Sequence, residues 1–339
     1  MQHATETLDT PPVRNWLQRR WFAHEPAPLG LRPLADLYGS VAARRRAKLQ
    51  REAVRMPLPV IVVGNITLGG TGKTPFVIWL VEKLRQWGWN PGVISRGYGG
   101  HPPTSPFRVT RDTHPLEGGD EPVLIAWRTG VPVVVDPDRV RAADLLIAGR
   151  GVDIIVSDDG LQHYRLARDL EICVVDGRRG LGNGALLPAG PLREPPSRLD
   201  EVGLIVANGG GFRNGSRPVL DMRLESGELV PLGSGAPIPL DALKGEVVHA
   251  VAGIGDPERF FTMLEQHGLE IERHPFPDHH EFTRSDLVFD GGPVIMTEKD
   301  AVKCRRFGGG DRYALPVTAV LDAEATRLVQ QSIARLKPS

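Results

Sequence analysis

The stretch from Val60 to Pro75, VIVVGNITLGGTGKTP, has the residue types of a phosphate-binding loop. An apolar run leads into glycines, which let backbone N–H groups approach phosphate oxygens, and then into Gly-Lys-Thr. In such loops the lysine bridges phosphates and the threonine hydroxyl holds Mg²⁺. The general pattern G-x-x-x-x-G-K-[ST] has glycine where this chain has Thr67, so a glycine turn that merely opens a helix is the alternative. The candidate nucleotide contacts are Thr67, Leu68, Gly69, Gly70, Thr71, Gly72, Lys73 and Thr74.

A pair of acids, Asp158 and Asp159, follows an apolar run in VDIIVSDDGLQHYRL (152–166). A carboxylate at a strand end beside a phosphate loop commonly anchors Mg²⁺. Capping of the next helix is the ordinary alternative use of Asp at such a place. Because the loop is also present, we favour metal anchoring by these two residues.

A third candidate is Asp120, in EGGDEP (117–122), where it follows two glycines together with Glu121. One interpretation is a carboxylate that accepts a proton from a substrate hydroxyl. The other is an N-cap of the helix that begins there. The sequence does not separate the two.

A histidine-rich stretch, HPFPDHHEF (274–282), holds His274, Asp278, His279, His280 and Glu281. A metal site is one interpretation. The adjacent histidines would point apart on a strand, however, so a His–Asp proton relay or plain surface histidines fit better than zinc.

Two arginines are candidate phosphate clamps, Arg96 in SRGYGG and Arg193 in LPAGPLREP. The planar guanidinium group makes bidentate contacts with phosphate oxygens. It also stabilises the charge that develops during phosphate transfer.

Strands that alternate with helices must position these residues. PVIVVGN (59–65) predicts a buried strand, and PFVIWLVEKLRQWG (75–88) predicts a helix with an apolar face. Continuous apolar strands predict a sheet covered on both faces, and their alternation with helices predicts parallel pairing. Ligands bind at the carboxyl ends of such strands, where the Asp, Arg and Gly residues lie. Further predicted strands lie within 92–100, 131–136, 152–160, 171–177 and 203–208.

The pattern of the chain changes near Gly209, which indicates more than one domain. Two alternating runs, Val219–Leu224 and Glu228–Leu232, flank Ser226-Gly227 and predict a hairpin. A second block of strand, glycine turn and helix starts at Glu246. The predicted segments are a basic N-terminal helical segment (1–55), a phosphate-loop core (56–208), a hairpin linker (209–245) and a C-terminal α/β domain (246–339).

The composition argues against several classes of protein. The 41 Lys and Arg balance 41 Asp and Glu, so no net field steers the chain towards nucleic acid. The cysteines Cys173 and Cys304 give neither a disulfide framework nor zinc spacing. No apolar run reaches the roughly 18 residues of a membrane span, and the first residues lack the apolar core of a secretory signal. We expect a cytosolic α/β protein.

Basic residues are concentrated between Pro11 and Arg55, a segment that contains ten Lys or Arg and only three acidic residues. A basic helix with an apolar stripe is typical of a segment that lies on an anionic membrane surface. The alternative is a helix packed on its own domain with a solvated basic face. The interspersed apolar residues are Trp16, Leu17, Trp21 and Phe22, followed at helical spacing by Leu34, Leu37, Tyr38 and Val41.

Eight motifs occur in a fixed order: GNITLGGTGKTP, SRGYGG, GDEP, SDDGLQH, LPAGPLREP, GIGDPERFF, FPDHHEF and TEKDAVKC. Together, from about Pro57 to Lys303, they resemble the tetraacyldisaccharide 4'-kinases, the lipid A 4'-kinases of Gram-negative bacteria. The resemblance implies two Rossmann-like α/β/α domains joined by a β-hairpin linker, the first a P-loop NTPase-type kinase core and the second closing over the nucleotide. It implies Mg²⁺-dependent transfer of the γ-phosphate of ATP to the 4'-hydroxyl of an acylated glucosamine disaccharide 1-phosphate.

The resemblance also implies roles for single residues. Lys73 and Thr74 match the loop lysine and the Mg²⁺-binding threonine. Asp120 matches the proposed catalytic base, and His279 matches the histidine that supports it. The acids linked to Mg²⁺ are matched by Asp158 and Asp159, and an arginine near the transferring phosphate is matched by Arg193. The expected substrate contacts are Arg96, Tyr98 and Gln162.

The partners implied by the resemblance are the acylated disaccharide and a membrane surface, with no nucleic acid and no obligatory protein partner. A substrate with acyl chains stays in the bilayer, so we expect a peripheral protein on the cytoplasmic face of the inner membrane. The main rival is a non-kinase phosphate-loop NTPase; against it, Leu68 stands where a partitioning-type KGG loop has lysine, and no guanine-reading N-K-x-D element occurs. A membrane-surface module alone leaves the loop and the acids unexplained.

Overall fold

The computed structural model of this chain describes residue 17 and residues 19–23, 25–215 and 217–336. Part of the predicted basic segment, including Trp16, lies outside these residues. The strands are β1 Val60–Gly64, β2 Pro91–Ser95, β3 Phe107–Val109, β4 Val133–Val135, β5 Ile154–Asp158, β6 Leu170–Asp176, β7 Leu204–Asn208, β8 Val219–Ser226, β9 Val230–Pro231, β10 Val247–Ala252, β11 Glu270–Pro275, β12 Val294–Thr297, β13 Arg312–Leu315 and β14 Val317–Leu321. The α-helices are α1 Arg32–Arg51, α2 Lys73–Gln86, α3 Pro115–Gly118, α4 Asp120–Thr129, α5 Arg139–Ala148, α6 Pro257–Gln266, α7 Glu298–Cys304 and α8 Ala323–Ala334.

A nine-stranded sheet forms the larger layer, in the order β14-β8-β7-β6-β1-β5-β2-β4-β3. Its pairs are parallel except at the two edges, where β14 runs antiparallel to β8 and β3 antiparallel to β4. Strand β1 lies between β5 and β6. The strands from β2 to β5 lie on one side of β1, and β6, β7 and β8 lie on the other. That change of side creates a crevice at the carboxyl ends of the central strands, the usual ligand position in such sheets. The predicted α/β class is confirmed.

Both faces of the first sheet are apolar, which explains the unbroken hydrophobic runs in its strands. Ile61 and Val63 of β1 pack on one side with Phe76 and Val77 of α2. Val60 and Val62 face the other side, where α5 contributes to the core. The first turn of α2 is thereby fixed against the end of β1, directly after the glycine-rich loop.

A second sheet of five strands has the order β11-β10-β12-β13-β9. It also has an apolar cluster on each face; Phe261 belongs to one and Phe282 to the other. The described helices include none with the length and apolar composition needed to cross a bilayer.

The connection between the sheets differs from the predicted hairpin. Strand β8 pairs with β7 and β14 in the first sheet, whereas β9 pairs with β13 in the second. Gly227 donates its N–H to the carbonyl oxygen of Pro316 at 2.9 Å, so two distant segments cross side by side. The alternating pattern correctly indicates strands with one covered face, but alternation carries no information about which strand is the partner.

The C-terminal boundary also differs from the predicted 246–339 domain. After β13 the chain leaves the second sheet, and β14 and α8 join the first. Leu321, Val329 and Ile333 belong to the same apolar cluster as α2. The second sheet is therefore inserted between β8 and β14 of the first, because α8 buries its apolar face on the larger sheet.

Candidate active site

The loop between β1 and α2 has the backbone conformation of a tight phosphate-loop turn. Gly69 and Gly72 have φ angles of 97° and 87°, in the left-handed region that favours glycine. A Cβ at Gly72 would lie 2.4 Å from Nδ2 of Asn208. That amide, at the end of β7, donates to the carbonyl oxygen of Thr71 at 3.2 Å. Glycine is thus required at position 72 by a neighbour from a distant strand as well as by the turn.

Thr67, where the general pattern has glycine, is a pairing position in this chain. It forms an antiparallel bridge with Leu192 and is buried. On either side, Leu68 donates its N–H to Pro191 O at 2.8 Å and Arg193 donates its N–H to Ile66 O at 2.7 Å. The N–H of Leu68 is therefore already bonded within the protein, whereas the sequence predicted Leu68 as a nucleotide contact. The same pairing brings Arg193 to the loop.

Lys73, Asp159 and Arg193 form a charged cluster at the start of α2. Asp159 Oδ1 lies 3.4 Å from Lys73 Nζ, and its Oδ2 lies 3.4 Å from Arg193 Nη1. Asp159 has a φ of 48°, which turns its carboxylate away from the strand that Asp158 ends. Burial opposes its charged form, but Lys73 and Arg193 hold the pKa of Asp159 below its usual value. Two cations and a carboxylate thus lie together at the place where the loop would bind a phosphate group.

Asp158 is buried at the end of β5, and Ser95 donates its hydroxyl to Asp158 Oδ2 at 3.1 Å. The other oxygen, Oδ1, has no hydrogen-bond partner among the described residues. Burial, followed by the negative charges of Glu121 and Asp159, raises the pKa of Asp158 well above its usual range. A divalent cation would supply both the missing ligand contact and the missing positive charge. This donor set fits Mg²⁺, with Thr74 at the second position of α2 as a further oxygen donor.

Asp120 contacts His279, which lies 159 residues away in the sequence. His279 Nδ1 is 3.0 Å from Asp120 Oδ2, and Lys303 Nζ is 3.9 Å from the same oxygen. The N-cap of α4 is Gly119, with no side-chain capping bond, so Asp120 does not cap the helix. His279 has a φ of 63°, an unusual conformation for this residue, which directs its ring to Asp120. Of the two interpretations of Asp120, the structure thus removes helix capping.

The other residues of the histidine-rich stretch have separate partners. His280 Nε2 lies 3.3 Å from Asp286, Asp278 Oδ1 lies 3.1 Å from Lys299, and His274 contacts His249. The stretch is therefore not one metal site, in line with the preference for a His–Asp contact over zinc at His279. Tyr98, which is 69% exposed, places its ring at the edge of the His279 ring, with 5.3 Å between centroids.

Of the remaining expected substrate contacts, Arg96 is exposed and Gln162 is held within the protein. Gln162 Nε2 donates to the carbonyl oxygen of Asn65 at 3.1 Å and to Glu194 at 2.8 Å. Gln162 thus holds Asn65, the first residue of the loop, in position. Its side chain also lines a cavity of about 360 Å³ with His163, Arg139 and Arg45.

Sequence reasoning missed three charged residues of the site. Glu121 contributes to the raised pKa of Asp158, and its Oε1 lies 3.8 Å from Lys299 Nζ. Arg139 is buried and donates to the backbone carbonyls of Asp136 and Asp158. Glu194 accepts from Gln162 and from Tyr164. Of the three, only Glu121 and Glu194 could have been found from the sequence, because each directly follows a candidate site residue, Asp120 or Arg193.

Comparisons with known proteins point to one family. A family model described as LpxK, tetraacyldisaccharide-1-P 4'-kinase, matches residues 27–334. A tetraacyldisaccharide 4'-kinase of Stenotrophomonas maltophilia is 50% identical over 334 residues, covering 94% of this chain and 97% of the relative. The same-named protein of Alkalilimnicola ehrlichii is 50% identical over 330 residues, covering 95% and 96%.

A solved structure also matches. It is the crystal structure described as an "apo" form of LpxK from Aquifex aeolicus in complex with ATP. Its TM-score is 0.77 at 29% identity, and the match covers 91% of this chain and 98% of that one. The resemblance found in the ordered motifs is confirmed, and the chain belongs to the tetraacyldisaccharide-1-phosphate 4'-kinase family.

Proposed function

We propose that this lipid A kinase binds ATP on the 65–74 loop and transfers the γ-phosphate to the 4'-hydroxyl of an acylated glucosamine disaccharide 1-phosphate held against Asp120. The name of the family supports the reaction, and the ATP complex of the Aquifex aeolicus protein supports the nucleotide. The observation that carries the assignment of the base is the 3.0 Å contact between Asp120 and His279. Glu121, the next residue of α4, links this pair to the loop because its charge acts on Asp158.

Charge neutralisation is the task of the loop. Phosphoryl transfer demands positioning and stabilisation of negative charge more than covalent help from the protein. Lys73 and Arg193 already share Asp159, and phosphate oxygens would compete for both cations. When bound beside Asp158 and Thr74, Mg²⁺ supplies further positive charge to the phosphates.

Proton removal is the task of Asp120. It lines a cavity of about 40 Å³ with His279, so a hydroxyl group that enters there meets the carboxylate. An ionised carboxylate only accepts hydrogen bonds, so the hydrogen of the contact with Asp120 lies on His279 Nδ1. This bond holds the carboxylate in place while one of its oxygen lone pairs accepts the proton of the hydroxyl group.

A transfer assay with radiolabelled γ-phosphate tests the proposed reaction. We expect label to move from ATP to tetraacyldisaccharide 1-phosphate in detergent micelles and not to the de-acylated disaccharide or to glycerol. The label should appear as a monoester at the 4' position, since that hydroxyl is the proposed nucleophile. Release of free phosphate without labelled lipid would support the rival class of non-kinase NTPases.

Helix α1 supports a membrane surface as the second partner. Leu34, Leu37 and Val41 lie on one face and are 53%, 61% and 55% exposed. The domain side of the helix holds Tyr38, whose hydroxyl donates to Arg193 O at 3.2 Å. The packed-helix alternative leaves these three apolar residues uncovered, whereas an anionic bilayer would cover them and attract the basic residues. Those residues are Arg44, Arg45, Lys48 and Arg51.

The proposed orientation brings the active site to its substrate. The hydrogen bond from Tyr38 connects the membrane-facing helix to the segment that carries Arg193. A disaccharide whose acyl chains remain in the bilayer would then meet the loop close to the headgroup layer. Since the reaction uses ATP, we assign the protein to the cytoplasmic face of the inner membrane as a peripheral protein.

Replacing Leu34, Leu37 and Val41 together with serine should weaken binding to anionic phospholipid vesicles by about tenfold or more, because apolar burial of roughly 25 cal/mol per Å² is lost. Co-sedimentation at low and high salt would measure it, with circular dichroism to check the helix. The control replaces Val247 and Val288, exposed valines of the second domain, with serine. Unchanged vesicle binding by the triple variant would favour the packed-helix alternative.

A further inference from the structure

Three potential metal ligands converge on the second sheet, and none of them belongs to the proposed catalytic residues. His249 lies on β10, and Glu272 and His274 lie on the neighbouring strand β11. His249 is in register with Glu272, and His274 is two residues further, so all three side chains share one face of the sheet. The parallel pairing of these strands therefore assembles the cluster.

The ligand atoms have the spacing of a metal site. His249 Nδ1 lies 3.1 Å from His274 Nε2 and 3.3 Å from Glu272 Oε2. One ligand atom from each residue lies within 4.8 Å of the other two. Ligands bound tetrahedrally at about 2.0–2.1 Å from Zn²⁺ are roughly 3.3 Å from one another. The cluster thus needs little rearrangement to surround an ion.

The tautomer of His249 is determined by the backbone. Its Nε2 lies 2.8 Å from the carbonyl oxygen of Gly291, which can only accept, so Nε2 carries the proton. In the neutral ring the lone pair of Nδ1 then faces the carboxylate of Glu272, which also only accepts. The same lone pair lies 3.1 Å from His274 Nε2, so a cation placed among the three groups would be bound by all of them. Donation of the second ring N–H to a backbone carbonyl is also the usual support of a metal-bound histidine.

The surroundings of the cluster are apolar on one side and open on the other. Phe289 stacks on both imidazoles, with ring centroids 4.6 Å from His249 and 4.1 Å from His274. The side chain of His249 is 6% exposed, and that of Glu272 is 61% exposed. An ion would therefore enter from the Glu272 side, and a water molecule could complete its coordination.

We propose that His249, Glu272 and His274 form a binding site for a divalent transition-metal ion of the zinc type. Two imidazoles and one carboxylate favour such ions over Mg²⁺ and Ca²⁺, which prefer oxygen ligands. The site is separate from the proposed Mg²⁺ position at Asp158. The bound ion ties edge strand β11 to β10 and, through His249, to the turn at Gly291, so it stabilises the second domain.

Calorimetric titration of the chelator-treated full chain with ZnCl₂, in excess MgCl₂ to occupy oxygen sites, tests the proposal. We expect the His249→Gln/His274→Gln variant to lose one equivalent of tight binding that the wild type has. The matched control, His267→Gln/Glu270→Gln, changes exposed residues of the same domain and should keep that equivalent. Zinc should raise the unfolding temperature of the wild type and the control but not of the double variant.

Because His249 is buried, the double variant could lose zinc binding by failing to fold, so a second variant that keeps His249 is also tested. Glu272→Gln changes only the exposed ligand and should lower the zinc affinity by about tenfold or more while the metal-free unfolding temperature is kept. Equal zinc stoichiometry and affinity in wild type, the double variant and Glu272→Gln would overturn the proposal. So would a lack of tight zinc binding by the wild type, which would identify the cluster as one bridged by a proton.

Discussion

Replacing Asp120 with asparagine should lower kcat for phosphate transfer to the lipid by about 10²- to 10⁴-fold, the usual contribution of a general base. Asparagine keeps the size of the side chain and a possible contact with His279, but it cannot accept the proton of the 4'-hydroxyl. Since Gly119 and not Asp120 caps α4, the helix should remain intact. Steady-state kinetics with saturating ATP, together with the unfolding temperature, would measure both expectations.

The comparison variant for Asp120 is Glu117→Gln. Glu117 is an exposed acid of the preceding helix, three residues away in the same motif, so the substitution removes one carboxylate nearby without touching the His279 contact. We expect nearly normal kcat for it. A folded Asp120→Asn variant with normal kcat would exclude Asp120 as the base and leave the contact with His279 as a structural link between the domains.

Replacing Lys73 with alanine should lower kcat/KM for ATP by about 10²- to 10³-fold, as expected when one stabilising donor is removed from the transferring phosphate. The substitution also removes one of the two cations that lie 3.4 Å from Asp159. The loop should then bind ATP more weakly, because the carboxylate of Asp159 is left with only Arg193 as its cation partner. Binding of a fluorescent ATP analogue and the transfer assay would separate the loss of affinity from the loss of rate.

Lys83, on the same helix, is the control for Lys73. Its ammonium group donates to Gln86 at 3.0 Å near the C-terminal end of α2, far along the helix from the loop. Lys83→Ala should leave nucleotide binding and transfer unchanged. If both variants behaved alike, the effect would come from the helix and not from a phosphate contact.

The local parts of the candidate site are those that short sequence patterns can locate. A glycine-rich loop, a strand-end Asp-Asp pair and the acid in EGGDEP each depend on neighbouring residues, so short patterns identify them. The ordered motifs brought Asp120 and His279 together as a pair, although they are 159 residues apart. Only the family resemblance predicted this contact, because nothing in the residues around Asp120 or around His279 indicates that the two lie close together.

The parts that escaped prediction are those determined by contacts between distant segments. Asn208 restricts Gly72, Leu192 pairs with Thr67, and neither relation leaves a pattern in the sequence. The hairpin was predicted from alternation, which records the burial of a strand and not its partner. For the same reason the return of β14 to the first sheet could not be anticipated.

That return has a consequence for synthesis of the protein. Ribosomes complete all strands of the second sheet, from β9 to β13, before they make β14 and α8. The inserted domain can therefore fold while β8 still lacks its antiparallel neighbour. An unpaired strand edge is a template for association with other chains, so this edge of β8 is open to such association during the interval. The kinase core, begun first, is finished after the domain inserted into it.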